Sequence, residues 1–199
     1  MKHTKFLTTK KLLLLAGILP ILGILAIAQV NYSANGVTKL SIKGTSTLHD
    51  WEMTSKAGKC DAVFTFNSAG QITGLSSLSF STPVGDLKSG KGAMDKNAYK
   101  ALKKDKYASI SYVGTSATVT TTDKVNYTIK SHGKLTIAGT TLDIDLVANG
   151  KMNADKSITV EGSYKLKMKD YKVEPPSFMF GTVTTGNEIT LNYELTVKK

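Results

Sequence analysis

The chain has no arginine. All 26 of its basic side chains are lysines, set against 15 acidic ones, for a net charge of +11 at pH 7. Base reading leans on the planar, bidentate guanidinium, so this composition argues against a nucleic-acid partner. There is one cysteine, Cys60, so no intramolecular disulfide can form in any compartment. It opens the run CDAVFTF, where it shares a strand face with Ala62, Phe64 and Phe66, and reads as a small apolar filler. Histidine is almost as scarce, with three residues. His132 alternates with Lys130 and Lys134 toward water, and His49 beside Asp50 supplies too few ligands for zinc. An enzyme needs a nucleophile, base or metal with partners. None is assembled here, so no catalytic residue, metal or cofactor is expected. Gly85 to Gly92 carries glycine and lysine without phosphate-loop spacing, and reads as a turn.

Long apolar runs are missing except at the start. Lys2, Lys5, Lys10 and Lys11 precede an apolar stretch from Leu12 to Ala28, which ends in Ala26-Ile27-Ala28. This is the layout of an export signal with a small-x-small cleavage site. Cleavage after Ala28 divides the chain into a signal peptide, 1–28, and one domain, 29–199, beginning at Gln29. No cysteine follows the run, which closes the lipoprotein route. Four lysines and no acidic residue leave with the segment, and the remainder is still basic. That balance suits a solvated surface and admits transient contact with a membrane surface. Pairing into a homodimer is left open.

What is abundant is alternation. Leu40 and Ile42 oppose Lys39, Ser41 and Lys43. Val125, Tyr127 and Ile129 continue in parity to Leu135 and Ile137. Leu142, Ile144 and Leu146 oppose Asp143 and Asp145, which read as solvated charges. Ile158 to Met168 and Ile189 to Val197 repeat the pattern. Period two over many segments means one dry and one wet face, hence antiparallel sheet. The length of the runs predicts an all-β barrel of about eight strands. One helix is predicted, roughly Lys91 to Lys104, with Met94, Ala98, Ala101 and Leu102 on its apolar face. Between strands it reads as a lid on the open end of the rolled sheet. Gly44, Gly114, Gly133 and Gly162 fall on inward parities. They either bend long strands or leave room for a ligand, and both readings stand. Phe178-Met179-Phe180, after Pro175-Pro176, reads as a plug or as a ligand-contacting rim.

Gly44-Thr45-Ser46-Thr47-Leu48-His49-Asp50-Trp51, then Pro83-Val84, Met94-Asp95, Lys106-Tyr107, Gly133-Lys134-Leu135-Thr136-Ile137 and Pro175 to Gly181 occur in an order and spacing that resembles the YceI-like family. One departure is Ala108, where many members have proline. The resemblance implies a lipocalin-like antiparallel barrel with a helical cap, and an exported bacterial protein whose lumen holds a long isoprenoid-type chain. The expected function is non-catalytic binding, transport or sequestration of a hydrophobic, polyisoprenoid or lipid-like small molecule in the bacterial envelope. The alternative is an envelope stress or structural protein whose barrel is filled by its own side chains. The residues expected at the ligand are Trp51, Phe80, Met94, Leu102, Tyr112, Gly133, Gly162, Tyr164, Phe178 and Phe180.

Overall fold

The computed structural model describes residues 27–37, 39–178 and 181–199. The expected signal peptide lies outside them, except for its last two residues. The strands are β1 (Ala28–Asn35), β2 (Lys39–Ser46), β3 (Trp51–Ser55), β4 (Lys59–Phe66), β5 (Ile72–Pro83), β6 (Ser109–Thr121), β7 (Asn126–Ile137), β8 (Thr140–Met152), β9 (Ile158–Lys167), β10 (Ser177–Phe178) and β11 (Val183–Val197). The helix α1 (Gly92–Ala101) interrupts them between β5 and β6.

Among the described residues every strand pair is antiparallel, and ten strands follow one hydrogen-bonded path, β1-β4-β5-β6-β7-β8-β9-β11-β2-β3, with β10 paired to β11. The expected count of about eight is therefore corrected to ten plus one short strand. The sheet curls until β1 returns to β11. The Ser33 amide donates to the Lys198 carbonyl at 2.7 Å, and the Lys198 amide donates back at 2.9 Å. The fold is the expected lipocalin-like one.

One strand that no reading anticipated is β1. Its alternation, Val30, Tyr32, Ala34, follows directly on the apolar leader and carries only one large side chain before the break at Gly36, whose φ of 115° suits glycine. Within β5 the register shifts between Val63 and Phe64 of its partner, a bulge that lets Leu75 and Leu78 both face inward. β7 and β8 meet in a two-residue turn, Ala138-Gly139, with both φ values positive (48° and 80°), as the tightest hairpins require.

Apolar parity packs the inside. At one end Tyr32 meets Phe64 edge-on at 5.5 Å and stacks with Phe66 at 6.2 Å. Tyr32, Ile158 and Val197 are almost wholly buried there and seal the lumen. The other end lies under α1, where Met94, Ala98 and Leu102 pack onto the core. The helix is shorter than its amphipathic pattern suggested. It stops at Ala101 because Lys103 turns left-handed (φ 54°), and the Lys104 amide donates back to the Tyr99 carbonyl at 2.9 Å. No side chain caps its start. Instead the Asp95 carboxylate accepts from the Ser89 amide (2.8 Å) and hydroxyl (2.7 Å), tying the first turn to the preceding loop. Those bonds hold the carboxyl below its ordinary pKa. The loop is itself fastened, since Thr54 and Lys88 exchange backbone hydrogen bonds of 2.8 Å and Leu87 is fully buried. The Tyr99 hydroxyl accepts from Lys88 Nζ at 2.8 Å and directs its hydrogen at the Gly85 and Leu87 carbonyls.

Candidate ligand cavity

Inside the curled sheet lies a cavity in two compartments. The inner one, about 150 Å³, is walled by β2, β4 through β9 and β11. Phe64, Leu75, Phe80, Ile129, Ala148 and Leu195 are among its apolar lining, and among the described residues no charged side chain reaches it. An apolar cavity of this order stays dry and accepts small apolar molecules. The outer compartment, about 590 Å³, lies beneath α1 and is lined by Trp51, Met53, Leu87, Met94, Leu102 and Phe178, among others. The two share Ile42, Ile110 and Leu191 in their walls, so they adjoin along the barrel axis. His49 and Lys91 are the titratable and charged groups at the outer rim besides Tyr171, which lies deeper. Such a space receives an elongated apolar molecule, because burial in it removes hydrocarbon from water without stranding a charge.

The residues expected at a ligand divide three ways. Phe80, Tyr112 and Tyr164 line the inner compartment. Trp51, Met94, Leu102 and Phe178 line the outer one, and the Trp51 indole is fixed by donating to the Thr45 carbonyl at 2.9 Å. Gly133 and Gly162 line neither compartment. A Cβ on Gly162 would run into the ring of Tyr193, its cross-strand neighbour on β11. One on Gly133 would meet the Val113 carbonyl and come 2.6 Å from the Tyr112 hydroxyl. Gly44 is covered likewise by the ring of Trp51. These glycines leave room for an aromatic ring of an adjacent strand, which is neither of the two readings drawn from parity. Phe180 lies outside the described residues.

Several lining residues were not singled out beforehand. Tyr193 shares its parity with Leu191 and Leu195, a signal that was available; burial lifts its phenol to about 12, with a contribution from Tyr112. Cys60 is buried as expected but also lines the inner compartment. Burial, with Asp61 adding to it, pushes its thiol up to about 11, which suits an unreactive filler. Leu87 comes from a loop whose sequence carries no periodic signal.

Of the polar residues considered for chemistry, His132, Asp143 and Asp145 are outside the lumen and His49 stands at the rim of the outer compartment. His132 Nδ1 lies 2.8 Å from Asp145 Oδ1, and Lys134 donates to Asp143 at 2.9 Å, as cross-strand pairs on the exposed face. Exposed pairs of this kind contribute little to stability. His49 is exposed, with Nδ1 at 2.7 Å from the Asp50 carbonyl oxygen. Among the described residues no three His, Cys, Asp or Glu side chains gather as a metal site would need.

The YceI-like domain model matches residues 37–197. No curated protein sequence matches the chain. Among solved structures, BcnA of Burkholderia cenocepacia superposes with a TM-score of 0.61 at 16% identity, over 81% of this chain and 96% of that one. A polyisoprenoid binding domain from Saccharophagus degradans, implicated in plant cell wall breakdown, gives 0.61 at 11% identity, over 84% and 97%. The YCEI protein of Campylobacter jejuni gives 0.52 at 21% identity, over 70% and 81%. At these identities the likeness establishes the fold.

Proposed function

The chain belongs to the YceI-like family, and on that premise we propose that it is a non-catalytic carrier or sequestering protein for a long hydrophobic molecule of polyisoprenoid or lipid type. The observation that carries this reading is the outer compartment of about 590 Å³, apolar along its walls and covered by an amphipathic helix. A barrel that only stabilises itself gains nothing from such a space, because its lining forfeits dispersion contacts. The rival reading, a barrel filled by its own side chains, draws on the rings over Gly133 and Gly162, which narrow the inner compartment. It leaves the outer compartment unexplained. The apolar leader ending in Ala26-Ile27-Ala28 supports work in the bacterial envelope after cleavage. The outer face of the lid, with exposed Lys96, Lys100, Lys103 and Lys104, suits a transient approach to anionic lipid during loading.

Native mass spectrometry of protein purified from its own host tests the proposal. A retained apolar adduct of defined mass is expected, released on denaturation. Protein that is free of adduct and takes up no added isoprenoid would sink it.

A further inference from the structure

The end of the barrel that opens under α1 concentrates positive charge. Between Lys88 and Lys106 the chain holds seven lysines and two acids, Asp95 and Asp105. All seven lysines are exposed, whereas Asp95 is buried with its carboxylate bound to Ser89. The lysine–carboxylate pairs among the described residues, Lys59–Asp61, Lys134–Asp143 and Lys169–Glu174, all involve other lysines. Two of the seven are held in place on the lid. The Lys88 ammonium lies 5.2 Å from the centre of the Tyr99 ring and donates to its hydroxyl at 2.8 Å. The Lys104 ammonium lies over the same ring at 5.0 Å.

Across the opening a leucine stands in water. Leu48, in the turn between β2 and β3, is 69% exposed. Its turn is fixed: the Ser46 hydroxyl donates to the His49 carbonyl at 2.7 Å and accepts from the His49 amide at 3.1 Å, and the Thr47 amide donates to the Thr184 carbonyl at 3.0 Å. Leu48 and His49 from this turn, and Lys91 and Ala93 from the start of the lid, all line the outer compartment, so the leucine and the lysine-bearing lid flank one mouth. A single exposed apolar side chain needs no explanation by itself. Held on a fixed turn at the mouth of an apolar cavity, beside a lysine face, it supplies the apolar half of an interfacial anchor whose other half is attraction to anionic headgroups.

We propose that this end of the barrel docks mouth first on an anionic lipid bilayer, with Leu48 among the acyl chains and the lid lysines on the headgroups. This deepens the carrier reading, on which its purpose rests. A long hydrocarbon chain moving through water between bilayer and cavity would expose its whole length, whereas at a docked mouth it passes from one apolar medium into another. Lysine is a strongly hydrated point charge on a flexible stem, which suits mobile headgroups met without a fixed geometry.

The test needs no ligand. Trp51 is the only tryptophan of the chain and lines the outer compartment, so its fluorescence reports on the mouth. Vesicles of three parts phosphatidylcholine to one part phosphatidylglycerol, with plain or brominated acyl chains, are mixed at low salt with the protein as purified from its own host. Co-sedimentation is expected with these vesicles and not with phosphatidylcholine alone, and the brominated chains should quench Trp51. Neutralising the lid with Lys96→Gln and Lys100→Gln should weaken binding about 25-fold, since each lysine near such a surface contributes roughly fivefold. Leu48→Asp should weaken it roughly tenfold or more. All three positions are exposed, and unchanged melting temperatures serve as the folding control. Lys130→Gln with Lys151→Gln removes the same charge from the barrel wall and should cost far less. No binding to the anionic vesicles, or binding without quenching of Trp51, overturns the proposal. So does binding that Leu48→Asp or the lid pair leaves undiminished, or that the wall pair weakens equally. Each of those results leaves the carrier reading intact. Docking by a protein that neither retains nor takes up an isoprenoid would support the docking face and sink the carrier reading alone.

Discussion

A single carbon atom added at Gly162 separates a glycine kept for its backbone from a glycine kept for its neighbour. Gly162 does not have a positive φ, so nothing in its own conformation demands glycine. In such a strand position alanine is ordinarily better by about 0.5–1 kcal/mol, because glycine loses more chain entropy on folding. Here the new Cβ would enter the space of the Tyr193 ring, which packs against the main core cluster. Gly162→Ala should therefore cost about 1–3 kcal/mol, the range for overpacking, and Gly162→Leu at least as much. In a Tyr193→Val background the ring is gone, and the same alanine should be neutral or stabilising. The double-mutant cycle then gives a coupling of about 1–4 kcal/mol, reaching the upper end for residues in contact. Urea unfolding of the four proteins, with equal slopes, measures it. If Gly162→Ala costs the same in both backgrounds, the glycine serves the bend of the strand and the account of ring seats is wrong.

Other consequences are open to direct measurement. Asp95 has a depressed pKa, so its grip on Ser89 is fully present above the ordinary carboxylate value of about 3.9 and is lost as pH falls through the lower folded value; the acid side of the stability profile should flatten in Asp95→Asn, and an unchanged profile would disconnect this contact from folding. Cys60, with its thiol near 11, should resist maleimide at neutral pH in the native protein and react fast only in denaturant. Prompt native labelling would mean that the inner compartment is open to solvent. Replacing both Met94 and Leu102 with Asp should lower the melting temperature and empty the cavity, at somewhat less than the ~1.5–3 kcal/mol per fully buried side chain, since both are only partly buried. Unchanged melting and lipid content would show that the helix covers nothing.

How much of this was legible in the sequence follows from what a linear pattern encodes. Parity is a property of one strand, and it placed Phe80, Tyr112 and Tyr164 on the inner wall and Met94 and Leu102 under the lid. It failed where a strand adjoined the apolar leader, as at Val30-Tyr32-Ala34, and where a bulge changed phase, as between Leu75 and Leu78 in β5. Leu87 is fully buried through the Thr54–Lys88 bridge, a long-range contact that local pattern does not express. Register is a property of two strands, and it depends on turns and irregularities such as Ala138-Gly139 and the shift between Gly114 and Ser116. The inward glycines are the instructive case. Read along one strand, each is a missing side chain and hence a vacancy. Read across the sheet, Gly44 faces Trp51 and Gly162 faces Tyr193, while Gly133 lies under Tyr112 of the adjoining strand. A vacancy in one strand is thus the place where a neighbour's ring lies down, and the polar end of that ring falls where the neighbour's register puts it.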